Sequence, residues 1–284
     1  MPHDTYALLD FGNGKRLEEW GAYRLIRPDP TAIGAPHDSS IWKDADAEYQ
    51  GEKGKGEWLY KAVLPEHWLV RFDDLRLNVR LAPYKHTGVF PEQLSNWVWS
   101  RFQAQKAARS LKILNLFAYT GAATVALAKD GHHVTHVDAS KPAIYGGKEN
   151  ALLNGLKADS IRWILDDAQT FVKREKKRGN RYDAIILDPP AYGHSPSGKA
   201  WRIERDLSGL LEDCIALLSD DPVFVLLNGY AKHDTSESFK RLLQGILFAQ
   251  KIPKKYAMTS EELALKSVDG RALSTGIAVR CAFH

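Results

Sequence analysis

The run KILNLFAYTGAATVALAKDG (Lys112–Gly131) decides the fold. It opens on apolar residues of strand character, turns within a few residues and continues as an Ala-rich helix. In open parallel sheets the ligand lies beyond the carboxyl ends of the strands, over turns of this kind. Gly121 stands where a side chain would block that ligand. A dinucleotide-binding turn needs the spacing GxGxxG, because its glycines let backbone amides close onto a pyrophosphate. This turn offers Gly121 alone, and the neighbouring places hold Ala118, Tyr119, Thr120 and Ala122. A nucleoside without phosphates fits it better.

Outward from this run, short apolar strands alternate with helices. The expected strands are KILNLF, HVTHVD, IRWIL, YDAIILD and VFVLLN; the expected helices are roughly Gly121–Asp130, Pro142–Asn154, Ala168–Arg178 and Ile203–Leu218. Alternation at this spacing argues for an α/β fold with a parallel sheet covered on both faces. Pro91–Ser110 reads as a helix preceding it. Near the C-terminus, LALKSVDGRALSTGIAVRCAF contains two strand-like runs around SVDG, which predicts an antiparallel hairpin closing one sheet edge. The first hundred residues differ: WLVRFDDLRLNVRLA alternates apolar and polar as half-buried strands do, FGNGKRL reads as a hairpin turn and GEKGKGEW as a flexible loop tip. The expected organisation is a small β-rich unit over 1–95 and a ligand-binding domain over 96–284.

Composition sets bounds. The chain has 284 residues, 44% hydrophobic and 26% charged, enough for a real core. No apolar run reaches membrane-spanning length, and the N-terminal residues lack a signal-peptide pattern. Cys214 and Cys281 are far apart with no CxxC partner, so neither a disulfide framework nor a metal site is expected. A cytoplasmic protein is the default. Net charge is +4, with the surplus after residue 110 and its densest run at KREKKRGNR (Lys173–Arg181). That run reads as a solvated helix end or as a nucleic-acid footprint.

Acidic residues stand at the ends of three successive strands. Asp138, closing HVTHVD, can accept hydrogen bonds from both hydroxyls of a ribose; the competing role is a helix cap, for which Ser140 is the better candidate. After the third strand, Asp167 is the preferred acceptor for an adenine amino group and Asp166 the runner-up, with an N-cap role competing. In IILDPPAYGHSPSGKAW (Ile185–Trp201), Pro189 and Pro190 cannot continue a central strand because they lack amide donors. The strand therefore ends at Asp188, at the mouth of the same cleft. An acid and stiffened carbonyls there can accept from a planar amino group. Tyr192 offers a ring for a base to stack on, typically worth about 1–3 kcal/mol. His194–Lys199 reads as a mobile lid.

NLFAYTG, VDAS, DDAQ and DPPAY resemble the motifs of class I S-adenosylmethionine-dependent methyltransferases, and more closely those of the ribosomal-RNA large-subunit methyltransferase I/K-like family. The resemblance covers roughly Lys85–His284. It implies a Rossmann-like, doubly wound, mostly parallel seven-stranded sheet, with S-adenosyl-L-methionine as cofactor. It implies Phe117, Tyr119 and Gly121 around the methionine end, Asp138 as the ribose acid, and Asp167 with Ala168 at the adenine. Asp188, Pro189 and Tyr192 match the catalytic-pocket motif. YKHTGVFPEQ resembles the family's upstream segment, with Lys85, Thr87 and Gln93 as cofactor or substrate contacts. The PUA domain of some relatives is not evident. Pyrimidine C5-methylating members resemble one another in a cysteine after the fifth strand; here Asn228 takes that place, which turns the expectation from thiolate-assisted chemistry to a nitrogen acceptor.

The leading expectation is a methyltransferase acting by direct in-line transfer on a base nitrogen of RNA, ribosomal RNA above others, with no membrane or metal partner and an oligomeric state that residue patterns do not specify. A protein or small-molecule acceptor is the alternative. A nicotinamide oxidoreductase would need the missing glycines, and a non-catalytic RNA-binding module would have no use for DPPAY.

Overall fold

Alternation in the first eighty residues resolves into two antiparallel-rich sheets. In the computed structural model, which describes residues 4–52, 55–83, 85–157, 159–194, 200–230, 235–252 and 254–284, β1 (Tyr6–Gly12), β2 (Lys15–Trp20), β3 (Tyr23–Pro28), β4 (Ala47–Glu52) and β5 (Lys55–Tyr60) form a five-stranded sheet in that order. The β1–β2 connection is a two-residue turn with positive φ at Asn13 (51°) and Gly14 (74°), the pairing that Asn-Gly favours in hairpins. β6 (Trp68–Phe72) and β7 (Leu75–Val79) pair separately. The run expected as a flexible loop tip, Gly51–Trp58, instead carries β4 and β5 into a hairpin; residues 53 and 54 lie outside the described residues. Residues 1–94 with 264–275 make one compact unit, and 95–263 with 276–284 make the other.

A seven-stranded sheet, most of it in the second unit, has the order β10-β9-β8-β11-β14-β16-β15. β8 (Lys112–Leu116), β9 (His133–Asp138), β10 (Ile161–Leu165), β11 (Ala184–Leu187) and β14 (Phe224–Gly229) run parallel, and β16 (Ala272–Phe283) returns antiparallel against β14 from a hairpin with β15 (Tyr256–Lys266). The helices are α1 (Leu94–Lys106), α2 (Ala122–Lys129), α3 (Lys141–Leu153), α4 (Ala168–Arg178), α5 (Ile203–Ile215) and α6 (Ser236–Ala249). α6 was not among the expected elements, although Phe239, Leu243, Ile246 and Leu247 recur at helical spacing and all are buried.

One face of the sheet buries Leu114, Leu116, Ile185, Leu187, Val225 and Leu227 against Phe171 of α4, Leu211 of α5 and Leu243 of α6. Each such side chain is worth about 1.5–3 kcal/mol relative to exposure. The opposite face is more polar. Asn115 and His136 point into it and meet Thr124 of α2, and Trp99 of α1 packs edge-on against Phe224 at 5.4 Å. This polar face lies under the strand tips where the site is built.

Candidate active site

The loop after β8 holds an irregular backbone. Phe117 (56°), Tyr119 (49°) and Gly121 (78°) all have positive φ. Such conformations in aromatic residues cost about 1–3 kcal/mol each and gather at ligand sites. They persist because the turn is tied from several sides. Ala118 N donates to Val137 O (3.1 Å), Gly121 N to Ala118 O (2.9 Å) and Tyr119 N to Asp138 Oδ2 (2.8 Å). A Cβ on Gly121 would lie 3.2 Å from the His136 ring, so both backbone and space require glycine there.

His136 was not singled out in the sequence, although its inward place in HVTHVD was legible. Asn115 Nδ2 donates to Thr124 Oγ1 (2.9 Å), which lies 3.0 Å from His136 Nδ1. His136 Nε2 is buried and meets no hydrogen-bond partner among the described residues. Burial pushes this imidazole down to about 3, with the backbone of Tyr119 working the other way. It is a neutral wedge under the loop, its ring tilted at 51° against Trp163 with centroids 4.6 Å apart.

Asp138 is not a helix cap. Ser140 caps α3, its Oγ accepting from Ala143 N, while Asp138 accepts from Tyr119 N through Oδ2 and from Ser140 N through Oδ1, both at 2.8 Å. Burial raises the Asp138 pKa, and the two amides oppose it. The two acids after β10 divide differently. Asp167 caps α4, its Oδ1 taking Thr170 N and Thr170 Oγ1 at 2.9 Å each; among the described residues no donor reaches its Oδ2. Asp166 is ion-paired to Arg174 and accepts from Asp167 N. Ala168, the first residue of α4, is buried in the core. Asp166 N donates to Asp138 O (3.1 Å), which holds the β9 and β10 tips together.

At the Asp-Pro-Pro corner, β11 ends at Leu187 and Asp188 N reaches Leu116 O at 3.4 Å. Pro189 is buried. Two carbonyls at this corner already accept hydrogen bonds within the protein. Trp201 Nε1 donates to Pro190 O at 2.7 Å, and Ile203 N donates to Ala191 O at 3.1 Å. The Trp201 ring also lies 5.2 Å from Phe117, so one side chain joins the corner to the loop after β8. Tyr192 is 68% exposed at the start of a two-stranded ribbon, β12 (Tyr192–His194) with β13 (Ala200–Arg202). The expected lid falls largely on Ser195–Lys199, outside the described residues.

Lys85, Thr87 and Gln93 belong to the first unit. Lys85 Nζ donates to Pro28 O (3.2 Å), Thr87 Oγ1 to Val89 O (3.4 Å), and Gln93 is buried in the 3-10 turn Pro91–Gln93. Burial lowers the Lys85 pKa. Arg27 Nη1 donates to Lys85 O at 3.1 Å and also grips buried Glu18 through Nε (2.5 Å) and Nη2 (2.8 Å). Arg16 and the Tyr6 hydroxyl complete that cluster.

Both cysteines are buried, Cys214 in α5 and Cys281 in β16. Burial raises both thiols, Cys281 to about 12. Neither is a thiolate near neutral pH, and neither lies at a strand tip.

A family model for S-adenosylmethionine-dependent methyltransferases matches residues 45–236. The chain belongs to that family. It uses S-adenosylmethionine, and the glycine cradle and strand-tip acids suit a nucleoside without phosphates. Among solved structures, the SAM-dependent methyltransferase from Agrobacterium tumefaciens aligns at TM-score 0.91 with 37% identity, over 98% of this chain and 90% of that one. Curated relatives are the ribosomal RNA large subunit methyltransferases K/L. That of Pseudomonas aeruginosa is 26% identical over 84% of this chain and 33% of its own, and that of Magnetococcus marinus is 30% identical over 78% and 29%. The chain spans about a third of the length of these curated relatives. Among the described residues no helix is long and apolar enough to cross a membrane.

Proposed function

We propose that the chain methylates a base nitrogen in RNA, with ribosomal RNA the favoured substrate. The observation that carries this reading is the Asp188 corner at the tip of β11, beside a loop shaped for the cofactor, with both cysteines buried elsewhere and protonated. The K/L relatives are named as ribosomal RNA methyltransferases, which supports RNA as the substrate class. S-adenosylmethionine, when bound, supplies an electrophilic methyl group on a sulfonium that a neutral nitrogen can attack.

The chain's own residues have separable tasks. Phe117, Tyr119 and Gly121 shape the methionine end of the site. Asp138 accepts from the ribose hydroxyls, and Asp167, through Oδ2, from the adenine amino group beside Ala168. Asp188, with the Pro189 carbonyl, orients an acceptor N–H and takes its proton, so the chemistry rests on positioning and proton acceptance. Tyr192 presents a stacking face. Residues 1–95 are assigned to substrate recognition and 96–284 to the cofactor, with Lys85, Thr87 and Gln93 as upstream contacts to either. Tritiated-methyl transfer to a fractionated cell extract tests the reading: label in RNA, mapped to a base nitrogen, supports it, and label only in protein or small molecules overturns it.

A further inference from the structure

The second unit contains a buried chain of amides whose orientation can be worked out from one obligate donor. Arg280 Nε and Nη2 both donate to Asn96 Oδ1, at 2.9 and 2.7 Å. A guanidinium only donates, so the oxygen of Asn96 faces Arg280 and its amino group faces away. That amino group donates to Asn228 Oδ1 at 2.9 Å. Arg280 is itself held, by Glu261 at 2.7 Å and by Ser95 Oγ at 3.0 Å. The usual ambiguity of amide flips is therefore removed. Asn228 has its oxygen engaged, and its Nδ2 meets no acceptor among the described residues although the residue is only 2% exposed.

Its place matters. β11 and β14 pair in parallel, with Leu187 opposite Leu227. Carried one rung further, that register would set Asp188, just past the end of β11, level with Asn228 of β14 at the usual spacing of neighbouring strands, about 5 Å. A carboxylate that accepts thus lies next to an amino group that donates.

We infer that Asn228 is an acceptor-recognition residue, its Nδ2 donating to a hydrogen-bond acceptor atom adjacent to the nitrogen that is methylated. The inference rests on the proposed role of Asp188. The pair selects an edge that presents an N–H and an acceptor on adjacent positions, as the amino-bearing edges of cytosine, adenine and guanine do. It disfavours an isolated amine, which would leave the Asn228 donor unmatched.

Two substitutions test this without emptying the pocket. Asn228→Asp is isosteric and replaces the donor by an acceptor. Asn96→Asp leaves Asn228 intact but can no longer donate to its oxygen, so Asn228 must turn its amino group toward position 96 and present oxygen to the cleft. Both variants are assayed with tritiated S-adenosylmethionine on the RNA, protein and small-molecule fractions of an extract from cells lacking this chain. Cofactor affinity and Tm are measured in parallel. The expected result is at least a tenfold loss of kcat/KM toward the labelled fraction, carried mainly by KM, with S-adenosylhomocysteine affinity within about twofold of wild type. Wild-type label confined to protein or metabolites would defeat the RNA reading, while the same two variants decide the Asn228 inference on that fraction. The inference is overturned if either variant transfers methyl groups like wild type, if losses track cofactor affinity and Tm, or if no fraction is labelled at all.

Discussion

Tyr119 donates its backbone amide to Asp138 Oδ2 at 2.8 Å. This bond ties the loop after β8 to the tip of β9, so one carboxylate serves both the shape of the loop and the proposed ribose contact. Asp188, by contrast, stands at the β11 tip, where the acceptor is expected. Hydrogen bonds to a charged group are worth about 1.5–3 kcal/mol, so Asp138→Ala should raise the Kd for S-adenosylhomocysteine by roughly tenfold to a hundredfold. Asp188→Ala should leave that Kd nearly unchanged and lower kcat. Calorimetry with single-turnover kinetics measures both, and equal loss of cofactor affinity in the two variants would contradict the division.

The parallel strands and α4 were legible because their signals are local: apolar runs of strand length, and Asp167 before AQTF as a helix start. Asp138 was legible as a strand-tip acid for the same reason. The reason Asp166 yields to Asp167 was not legible, because Asp166 is engaged by Arg174, eight residues on. The state of the Pro190 carbonyl depends on Trp201, eleven residues away across a ribbon. The Glu18 cluster joins three strands and the segment around Lys85, and no periodicity announces such a meeting.

Trp201 makes a different prediction from the strand-tip acids. Trp201→Phe keeps a ring against Phe117 but removes the donor to Pro190 O. A lost neutral hydrogen bond costs about 0.5–1.5 kcal/mol, and its effect should fall on kcat through a loosened Asp-Pro-Pro corner. Trp201→Ala should also weaken cofactor binding, because Phe117 loses its neighbour. Kd and kcat for the two variants side by side check this; a Phe variant indistinguishable from wild type would show the bond to be idle.

Glu18 should control acid stability of the first unit. Burial alone would raise its pKa, but Arg16 and Arg27 hold it down to about 2 from an ordinary 4.5. A depressed carboxylate stabilises the fold above its unfolded pKa and loses that contribution as pH falls through its folded one. The window is therefore pH 4.5 down to 2, with about 3 kcal/mol at stake. Glu18→Gln should flatten the acid limb of the stability curve. It should also lower Tm at neutral pH, because two buried guanidiniums lose their counter-charge. Denaturant melts across pH, followed by the tryptophans of the first unit, give the measurement; an unchanged acid limb would contradict the assignment.

His136 yields the least intuitive expectation. A histidine against a cofactor loop ordinarily invites a titration near pH 6.5. This ring is buried, lies 3.0 Å from Thr124 Oγ1 at Nδ1 and is pushed down to about 3, so it stays neutral throughout the working range. Between pH 5 and 9 it should add no inflection to cofactor affinity, and its ring signals in nuclear magnetic resonance should remain those of a neutral imidazole. Its contribution is shape: it fills the space beneath Gly121, where even one added carbon would sit 3.2 Å from the ring. Gly121→Ala, with φ at 78°, should destabilise by about 1–3 kcal/mol and weaken S-adenosylhomocysteine binding. His136→Ala, which removes the wedge, should weaken the same binding without changing its pH profile. An inflection near pH 6.5 that disappears in the His136 variant would show that the imidazole takes up a proton in the loaded protein, and the neutral-wedge account would then be wrong.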